Sequence, residues 1–402
     1  MSGVCEATTD AAVMTAPPLW AMKAGLTYTP IGDIPHHING RHDPRPQFAN
    51  RLYWTASGVE LAYTGGELWL CIETWYTQFE PWVSIDVDGV RSTRTELHPG
   101  MNVIPVFRGM GDGGYKRVRL LKETQFMHED PTQTFAVAGV LHDGGTFARP
   151  ARHRFRLEFV GDSITSGQGV AAASSCRTYC SGIFGAWDAY PRLVADELDA
   201  GFEVVSQSGW GVTCNCENDP TCTIPAAYPY ICAPARGKVN LEAGSDGPLT
   251  MVTEAEDSDD GRDFDAVIIN LGTNDATAFH APAWHDPVTG RMFKLRLDDA
   301  GMPQEDDLTL IRDAAVRFII DIRAHHPRAW IVWCYGMLGH VLEPTLREAV
   351  VMASHIHHDD RLLYVTLPEC GPDGYGATLH PGPANHRAAA DVILRALRQR
   401  LV

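Results

Sequence analysis

The chain has 402 residues, of which 45% are apolar and 21% charged, and this composition predicts a soluble globular protein of two or three domains. Its net charge of −17 argues against a nucleic-acid or anionic-membrane partner, because phosphate binding relies on clustered Lys and Arg. No window approaches the ~18 consecutive apolar residues of a membrane span, and the amino terminus lacks the basic and apolar regions of a secretory signal.

The first 150 residues divide into two patterns. Residues 1–45 show no sustained hydrophobic period and contain several prolines, so we expect an irregular lead-in. Residues 46–150 instead form short alternating runs separated by Gly and Asp, for example Val59–Tyr63 and Trp82–Val87. Runs of this length with a period of two predict an antiparallel β-sandwich.

Residues 151–402 follow a third pattern, in which strand-like runs alternate with helical stretches. The runs lie at 155–160, 203–207, 265–271, 329–335 and 362–366, and the helical stretches at about 188–199, 307–326, 342–357 and 384–400. This alternation predicts βαβ units, a parallel sheet and helices on both of its faces. We therefore expect an α/β domain that binds its ligand at the carboxyl ends of the strands.

Ser163 lies in the segment VGDSITSGQG, residues 160–169, directly after the first strand of this domain and before a predicted helix. A hydroxyl there would lie beside the unpaired N–H groups of a helix amino terminus, which favour a developing oxyanion. The same position also suits a structural N-cap. Ser163 alone therefore does not decide between a nucleophile and a cap.

Two loop-like segments rich in Ser, Asn, Pro and Gly contain six of the ten cysteines. Their spacings do not match the common C-x2-C pairs of zinc sites, so we expect disulfide bonds, with free thiols or zinc as alternatives. Disulfides would favour an extracellular protein and free thiols a cytoplasmic one, so the localisation stays open. The six candidates are Cys176, Cys180, Cys214, Cys216, Cys222 and Cys232.

Three more segments place polar groups at the same predicted edge. A glycine in Ser206–Gly211 allows close backbone approach, and Asn274, after the third strand, presents a side-chain amide. Turn formation explains each feature singly, but their co-occurrence favours a catalytic site. His380, before the last helix, is the expected general base, because a serine hydroxyl is a poor nucleophile until its proton is removed.

These segments resemble the four blocks of the SGNH (GDSL) hydrolases in order and approximate spacing, over about residues 154–402. The chain is also similar to carbohydrate esterase family 2, whose members place a jelly-roll sandwich ahead of an SGNH domain. The resemblance implies a jelly roll followed by a three-layer αβα domain with a mostly five-stranded parallel sheet. The matching segments are Gly161–Thr165, Ser208–Gly209, Gly272–Asp275, His380–Pro381, Arg117–Thr124 and Glu158–Ser163.

The resemblance implies roles for individual residues. Ser163 would be the nucleophile and an oxyanion donor, Gly209 and Asn274 the other donors, and His380 the base and then the acid. The reaction would be hydrolysis of an O-acetyl ester on acetylated xylan, glucomannan or a 6-O-acetyl hexosyl unit. We also expect substrate contacts from Asp162 and from Trp210, although an indole at this position also suits a hydrophobic core.

One position departs from the superfamily pattern, because the usual Asp two or three residues before the histidine is replaced by Thr378 or Ala377. Either Asp373 is a displaced third member, or a backbone carbonyl of residues 370–379 accepts the Nδ1 proton. Two other functions stay open: a carbohydrate-binding protein with a decayed site, and an esterase for lipid or aryl esters. The sequence carries no dinucleotide or P-loop fingerprint, so we expect no cofactor and no metal. It makes no prediction of the oligomeric state.

Overall fold

The structure, a computed structural model, describes residues 19, 22–45, 47–48, 50–111, 113–249 and 263–401. Within these ranges, ten strands form two antiparallel sheets. In chain order, β1 to β10 span Thr27–Pro30, His36–Asn39, Gly58–Tyr63, Leu68–Trp75, Trp82–Val87, Val90–Glu96, Gly100–Phe107, Lys116–Lys122, Thr134–His142 and Phe147–Ala148. One sheet has the order β1-β9-β4-β7, and the other has the order β10-β3-β8-β5-β6 with β2 paired to β3.

The two sheets enclose one hydrophobic core. Residues from both contribute, including Leu61, Leu70, Ile85, Leu120 and Val137, all of which are essentially inaccessible to solvent. Because side chains alternate between the faces of a strand, the period-two runs place one apolar set inside. The predicted sandwich is confirmed.

The prediction of an irregular lead-in over residues 1–45 is wrong for two segments. Thr27–Pro30 pairs with β9, and His36–Asn39 pairs with β3. Both strands have only four residues and partners distant in the sequence. Four residues are too few to show a hydrophobic period. These strands are stabilised by pairing with distant strands, which the local sequence pattern does not record. Residues 1–18 lie outside the described ranges.

Five parallel strands form the sheet of the second half, and their order is β12-β11-β13-β16-β17. They are β11 Phe155–Gly161, β12 Ala200–Ser206, β13 Ala266–Asn270, β16 Trp330–Tyr335 and β17 Leu362–Thr366, while β14 Trp284–His285 and β15 Met292–Phe293 form a small hairpin. The boundary that we predict at residue 150 falls between β10 and β11.

Helices cover both faces of this sheet. In chain order, α1 to α7 span Tyr190–Leu198, Ile224–Ala227, Lys238–Glu242, Thr273–Ala278, Glu305–His325, Glu343–His357 and Pro383–Leu401. One buried cluster includes Ile269 with Phe318 of α5, and another includes Ile268 with Ile393 of α7. Neighbouring residues of one strand thus pack into hydrophobic cores on opposite faces of the sheet, which confirms the three-layer αβα arrangement. No helix in the described ranges has the length and apolar character to cross a bilayer.

The sandwich contacts the parallel-sheet half through buried polar groups. Arg41 forms a 2.7 Å ion pair with Glu158 of β11, and both side chains are buried. Lys122, at the end of β8, donates to the carbonyl oxygens of Thr124 and Gln125, at 2.9 and 2.8 Å. These bonds fix the segment after β8, and this segment extends to the carboxyl edge of the parallel sheet, where Gln125 accepts from Ser208 N.

Candidate active site

The ends of three neighbouring strands bring the predicted polar groups together. Gly161, the last residue of β11, lies opposite Ser206 of β12 and Asn270 of β13 in the parallel register. The segments that follow these residues therefore begin at the same level of the sheet. This register places the segments that carry Ser163, Gly209 and Asn274 along one edge.

Ser163 and His380 form a hydrogen-bonded pair. Ser163 Oγ lies 2.8 Å from His380 Nε2, and His380 Nδ1 lies 3.0 Å from the carbonyl oxygen of Thr378. Since a carbonyl oxygen only accepts, Nδ1 carries the proton and Nε2 is free to accept from the serine hydroxyl. Burial lowers the pKa of His380, against a smaller opposing effect of the Thr378 carbonyl. The ring is therefore suited to act as a neutral base.

The structure does not place Asp373 in the position of a third triad member. Asp373 lies in the exposed turn Pro372–Gly374 and has no hydrogen bond to His380 within the described residues. The intervening Gly374 and Gly376 lead the chain around a turn before the histidine. The Thr378 carbonyl instead occupies the place beside Nδ1, as the alternative prediction requires.

No regular helix follows Ser163, so this part of the prediction is wrong. Residues 163–170 form consecutive turns, in which Ser166 N donates to Asp162 O at 3.0 Å and Gln168 N donates to Ser163 O at 2.9 Å. Gly167 and Gly169 adopt positive φ angles of 75° and 84°, which end any helical geometry. Ser163 is therefore held by a compact turn instead of a helix amino terminus.

The two other residues that the resemblance marks as oxyanion donors, Gly209 and Asn274, follow the ends of β12 and β13. Gly209 has a φ of 79°, and its N–H makes no backbone hydrogen bond within the described residues. Asn274 is 7% exposed, and its Nδ2 donates to Trp210 O at 2.9 Å. A weaker contact of 3.3 Å joins the same nitrogen to Asp162 Oδ2. The strong bond orients the amide and leaves its second N–H only loosely engaged.

Asp162 is not a substrate-binding residue in this structure, which corrects the prediction. Its side chain is completely buried, and its carboxylate accepts the N–H of Ile164 at 2.9 Å besides contacting Asn274. Burial, together with repulsion from Asp275, raises the pKa of Asp162 to about 7. From the interior, Asp162 thus supports both the turn that carries Ser163 and the side-chain amide of Asn274.

The prediction that Trp210 stacks on a sugar is also wrong. Trp210 is 5% exposed and belongs to the core on the α5 side of the sheet, with Val212 and Tyr228. Its ring meets His128 edge to face, with the ring centroids 6.1 Å apart. Large aromatic side chains stabilise a core by burying area, and here that role leaves no indole face for a ligand.

Two glutamines, Gln125 and Gln168, also belong to the site, although nothing in the sequence pattern predicts them. Gln125, which follows β8, accepts from Ser166 Oγ and Ser208 N, both at 2.8 Å. Gln168 is 6% exposed and accepts from the Ser208 hydroxyl at 2.7 Å. No characteristic sequence spacing identifies a glutamine that hydrogen-bonds between segments of a site. The only available signals were the position of Gln125 after a matched segment and that of Gln168 within the serine segment.

The six cysteines of the two inserts are free thiols, so the prediction of disulfides is wrong for this structure. Cys214 and Cys232 are buried in the apolar core, and burial raises the pKa of both thiols. Cys176 and Cys180 pack against a smaller cluster around Phe184. In these places cysteine acts as a small apolar side chain, and hydrophobic packing stabilises the inserts. No described group of three or more His, Cys, Asp or Glu residues is arranged to hold a metal ion.

Comparisons with known proteins identify close relatives of this fold. The chain is 34% identical to Est2A, an acetyl xylan esterase from the rumen bacterium Butyrivibrio proteoclasticus, with a TM-score of 0.88 over 94% of this chain and 98% of that one. A family two carbohydrate esterase from Clostridium thermocellum, solved in complex with cellohexaose, shares the fold at 23% identity and a TM-score of 0.72, over 91% and 99% of the two chains.

One curated relative is longer than this chain. The cellulase/esterase CelE of Acetivibrio thermocellus is 25% identical over 385 residues, which cover 93% of this chain but only 40% of that protein. No protein-family model matches the chain.

Proposed function

Because this chain belongs to carbohydrate esterase family 2, we propose that it hydrolyses O-acetyl esters on carbohydrates, with Ser163 as the nucleophile. The observation that carries the proposal is the 2.8 Å contact between Ser163 Oγ and His380 Nε2 at the carboxyl edge of the parallel sheet. The expected substrates are acetylated xylan, glucomannan or 6-O-acetyl hexosyl units. The reaction needs no cofactor, since the chain itself supplies the nucleophile, the base and the oxyanion donors.

The first half of the reaction forms an acetyl-enzyme. His380 Nε2 takes the hydroxyl proton while Ser163 Oγ attacks the acetyl carbonyl carbon, and the carbonyl oxygen becomes an oxyanion. The N–H groups of Ser163 and Gly209 and the amide of Asn274 donate to this oxyanion. The Asn274 N–H becomes available by leaving its long contact with Asp162. The protonated ring then gives its proton to the sugar oxygen as the ester bond breaks.

The second half removes the acetyl group. Water enters in place of the sugar, and His380 Nε2 takes one of its protons as the water oxygen attacks the same carbonyl carbon. The second tetrahedral intermediate uses the same donors, and its collapse returns the proton to Ser163 Oγ and releases acetate. Throughout, the Thr378 carbonyl holds the Nδ1 proton but supplies no full negative charge, so catalysis rests on a Ser–His dyad.

The geometry bears on the two alternative functions. A decayed, purely binding site has no reason to keep a hydroxyl, an imidazole and an oriented amide in hydrogen-bonding positions. A lipid esterase needs an apolar acyl channel, whereas the groups around Ser163 and Ser208 are polar: Gln125, Gln168 and Thr378. Both features favour an esterase for small acyl groups on polar alcohols.

The test is acetate release by the purified protein from acetylated xylan, acetylated glucomannan and a 6-O-acetyl hexoside, with Ser163→Ala as the matched control. We expect release by the wild-type protein only, and a preference for acetyl over butyryl and octanoyl nitrophenyl esters. Equal rates on octanoyl esters would refute the carbohydrate assignment. Binding of the polysaccharides without any release of acetate would instead support the non-catalytic alternative.

A further inference from the structure

The loop that carries His380 is held in an unfavourable backbone conformation. Thr378 and Leu379 both have positive φ angles, 52° and 59°, although neither is glycine. This turn directs the carbonyl of Thr378 back towards the histidine ring, 3.0 Å from Nδ1. Two adjacent left-handed residues persist only where the surrounding structure fixes them, so something must hold this loop against Ser163.

The segment after Ser163 provides that support. Ala377 N donates to Gly169 O at 3.0 Å, and Thr378 N donates to Cys176 O at 2.8 Å. Gly169 approaches so closely that a Cβ atom there would lie 2.8 Å from the Cβ of His380. The histidine loop therefore rests directly on the backbone that follows the nucleophile.

Gln168 is the buried side chain at this contact, and it touches both halves of the site. Its Oε1 accepts from the hydroxyl of Ser208, which precedes Gly209, at 2.7 Å. Its Nε2 donates to Thr378 Oγ1 at 3.2 Å and lies 3.4 Å from His380 Nδ1. One amide thus connects the oxyanion segment with the loop of the general base.

We propose that Gln168 is a positioning residue for this esterase, holding the His380 loop and the Ser208–Gly209 segment in register where triad enzymes use a carboxylate. The inference rests on the proposed function and extends it to a residue outside the four matched blocks. The amide reaches Thr378 and the ring without bringing a charge. It therefore fixes the ring position while leaving the imidazole a neutral, weakly basic group.

The titratable groups near the His380 ring determine how a new charge at position 168 would change the pKa of that ring. The other titratable groups around the histidine loop include His386 of α7, Asp162 beside Ser163, and three residues of the adjoining insert, Cys176, Tyr179 and Cys180; the loop itself carries Cys370, Asp373 and Tyr375. None of them hydrogen-bonds the His380 ring within the described residues. Among the described residues no carboxylate lies within 4 Å of Nδ1, so a carboxylate at position 168 would introduce an anion there, and opposite charge at that range raises a pKa by about 1–3 units.

The experiment compares Gln168→Met, Gln168→Glu and the control Gln78→Glu with the wild-type protein on an acetyl ester. Gln168→Met keeps the length of the side chain but removes both amide contacts, so kcat falls about tenfold while KM stays within about twofold. Gln168→Glu can still accept from Ser208, and it accepts from the Thr378 hydroxyl once that hydroxyl turns away from the Ala377 carbonyl oxygen, to which it donates at 2.8 Å in the wild-type protein. It keeps kcat near the wild-type value above the acid limb of the pH–rate profile, and moves that limb about one unit or more towards higher pH. Gln78 is exposed, and its variant adds the same charge without moving the limb.

The inference is overturned if Gln168→Met keeps the wild-type kcat, or if the acid limb of Gln168→Glu coincides with that of the wild-type protein. A nearly isosteric glutamate that fails to fold also contradicts it, because the carboxylate keeps the contact with Ser208 and can replace the donated bond to Thr378 by one that it accepts. An NMR titration of the His380 ring in the Ser163→Ala background, with and without Gln168→Glu, tests the coupling without activity, and an unchanged pKa refutes it. A wild-type protein inactive on every acetyl ester would refute the proposed function instead.

Discussion

Replacing Asn274 by Ala tests the oxyanion site most directly. The Asn274 amide is 7% exposed and is oriented before substrate arrives by its 2.9 Å bond to the Trp210 carbonyl. A donor that needs no reorganisation at the moment of reaction contributes most in the transition state. Loss of one such donor typically lowers kcat by about 10²–10³, or about 2.7–4 kcal/mol, and we expect that range with KM within a few-fold.

The same substitution also destabilises the fold, and this effect must be separated from catalysis. Trp210 O and Asp162 Oδ2 both lose their contact with the amide nitrogen, for which we expect about 1–3 kcal/mol of unfolding free energy. Asn240 offers a matched control. It is 1% exposed, and within the described residues its Nδ2 donates to a single carbonyl, that of Gln133, at 3.0 Å, and it has no hydrogen bond to Ser163.

Initial rates on nitrophenyl acetate and urea unfolding curves, measured for both variants, distinguish the two effects. We expect Asn240→Ala to lose a similar amount of stability while keeping kcat within about twofold, because its lost bond is structural only. A change in KM alone for Asn274→Ala would make Asn274 a binding residue. A loss of kcat in Asn240→Ala as large as that in Asn274→Ala would show that loosened packing, and not a missing donor, limits the rate.

Further predictions concern the dyad, its acceptor and the cysteines. Ser163→Ala and His380→Ala should each remove nearly all turnover and the double variant little more, because the two groups act as one unit; kcat for the three variants tests this. Asp373→Asn should keep kcat within a few-fold, since the carboxylate is exposed and has no bond to the ring, and a collapse with the fold intact by circular dichroism would refute the dyad. Because burial lowers the pKa of His380, the neutral base persists as the pH falls, and kcat/KM should decline only below the ordinary histidine value of 6.5. Alkylation of the denatured protein without reduction, followed by mass spectrometry, should find all six insert cysteines labelled, and any disulfide among them would contradict their assignment as packed thiols.

The main architecture could be predicted from the sequence because it follows from local hydrophobic pattern. Runs of period two placed β3 to β5 and β7 to β9, since alternate side chains must face one core. Val90–Glu96 escaped prediction because this edge strand is mostly exposed and carries no apolar alternation. Ser163, Gly209, Asn274 and His380 could be proposed as site residues because they occur together at predicted strand ends or before the last helix, although a turn explains each of them singly.

The roles that depend on which groups meet were decided only by the tertiary structure. Trp210 and Asp162 stand next to the predicted catalytic residues Gly209 and Ser163 in the sequence, yet both side chains turn into the interior. Gln125 and Gln168 both accept a hydrogen bond from Ser208, and Gln168 also contacts Thr378, although 253 positions separate Gln125 from Thr378 (378 − 125). The sequence pattern indicates whether a residue is exposed or buried and where in a strand or helix it lies. The partner of a hydrogen bond is set by the packing of distant segments, and no local period records it.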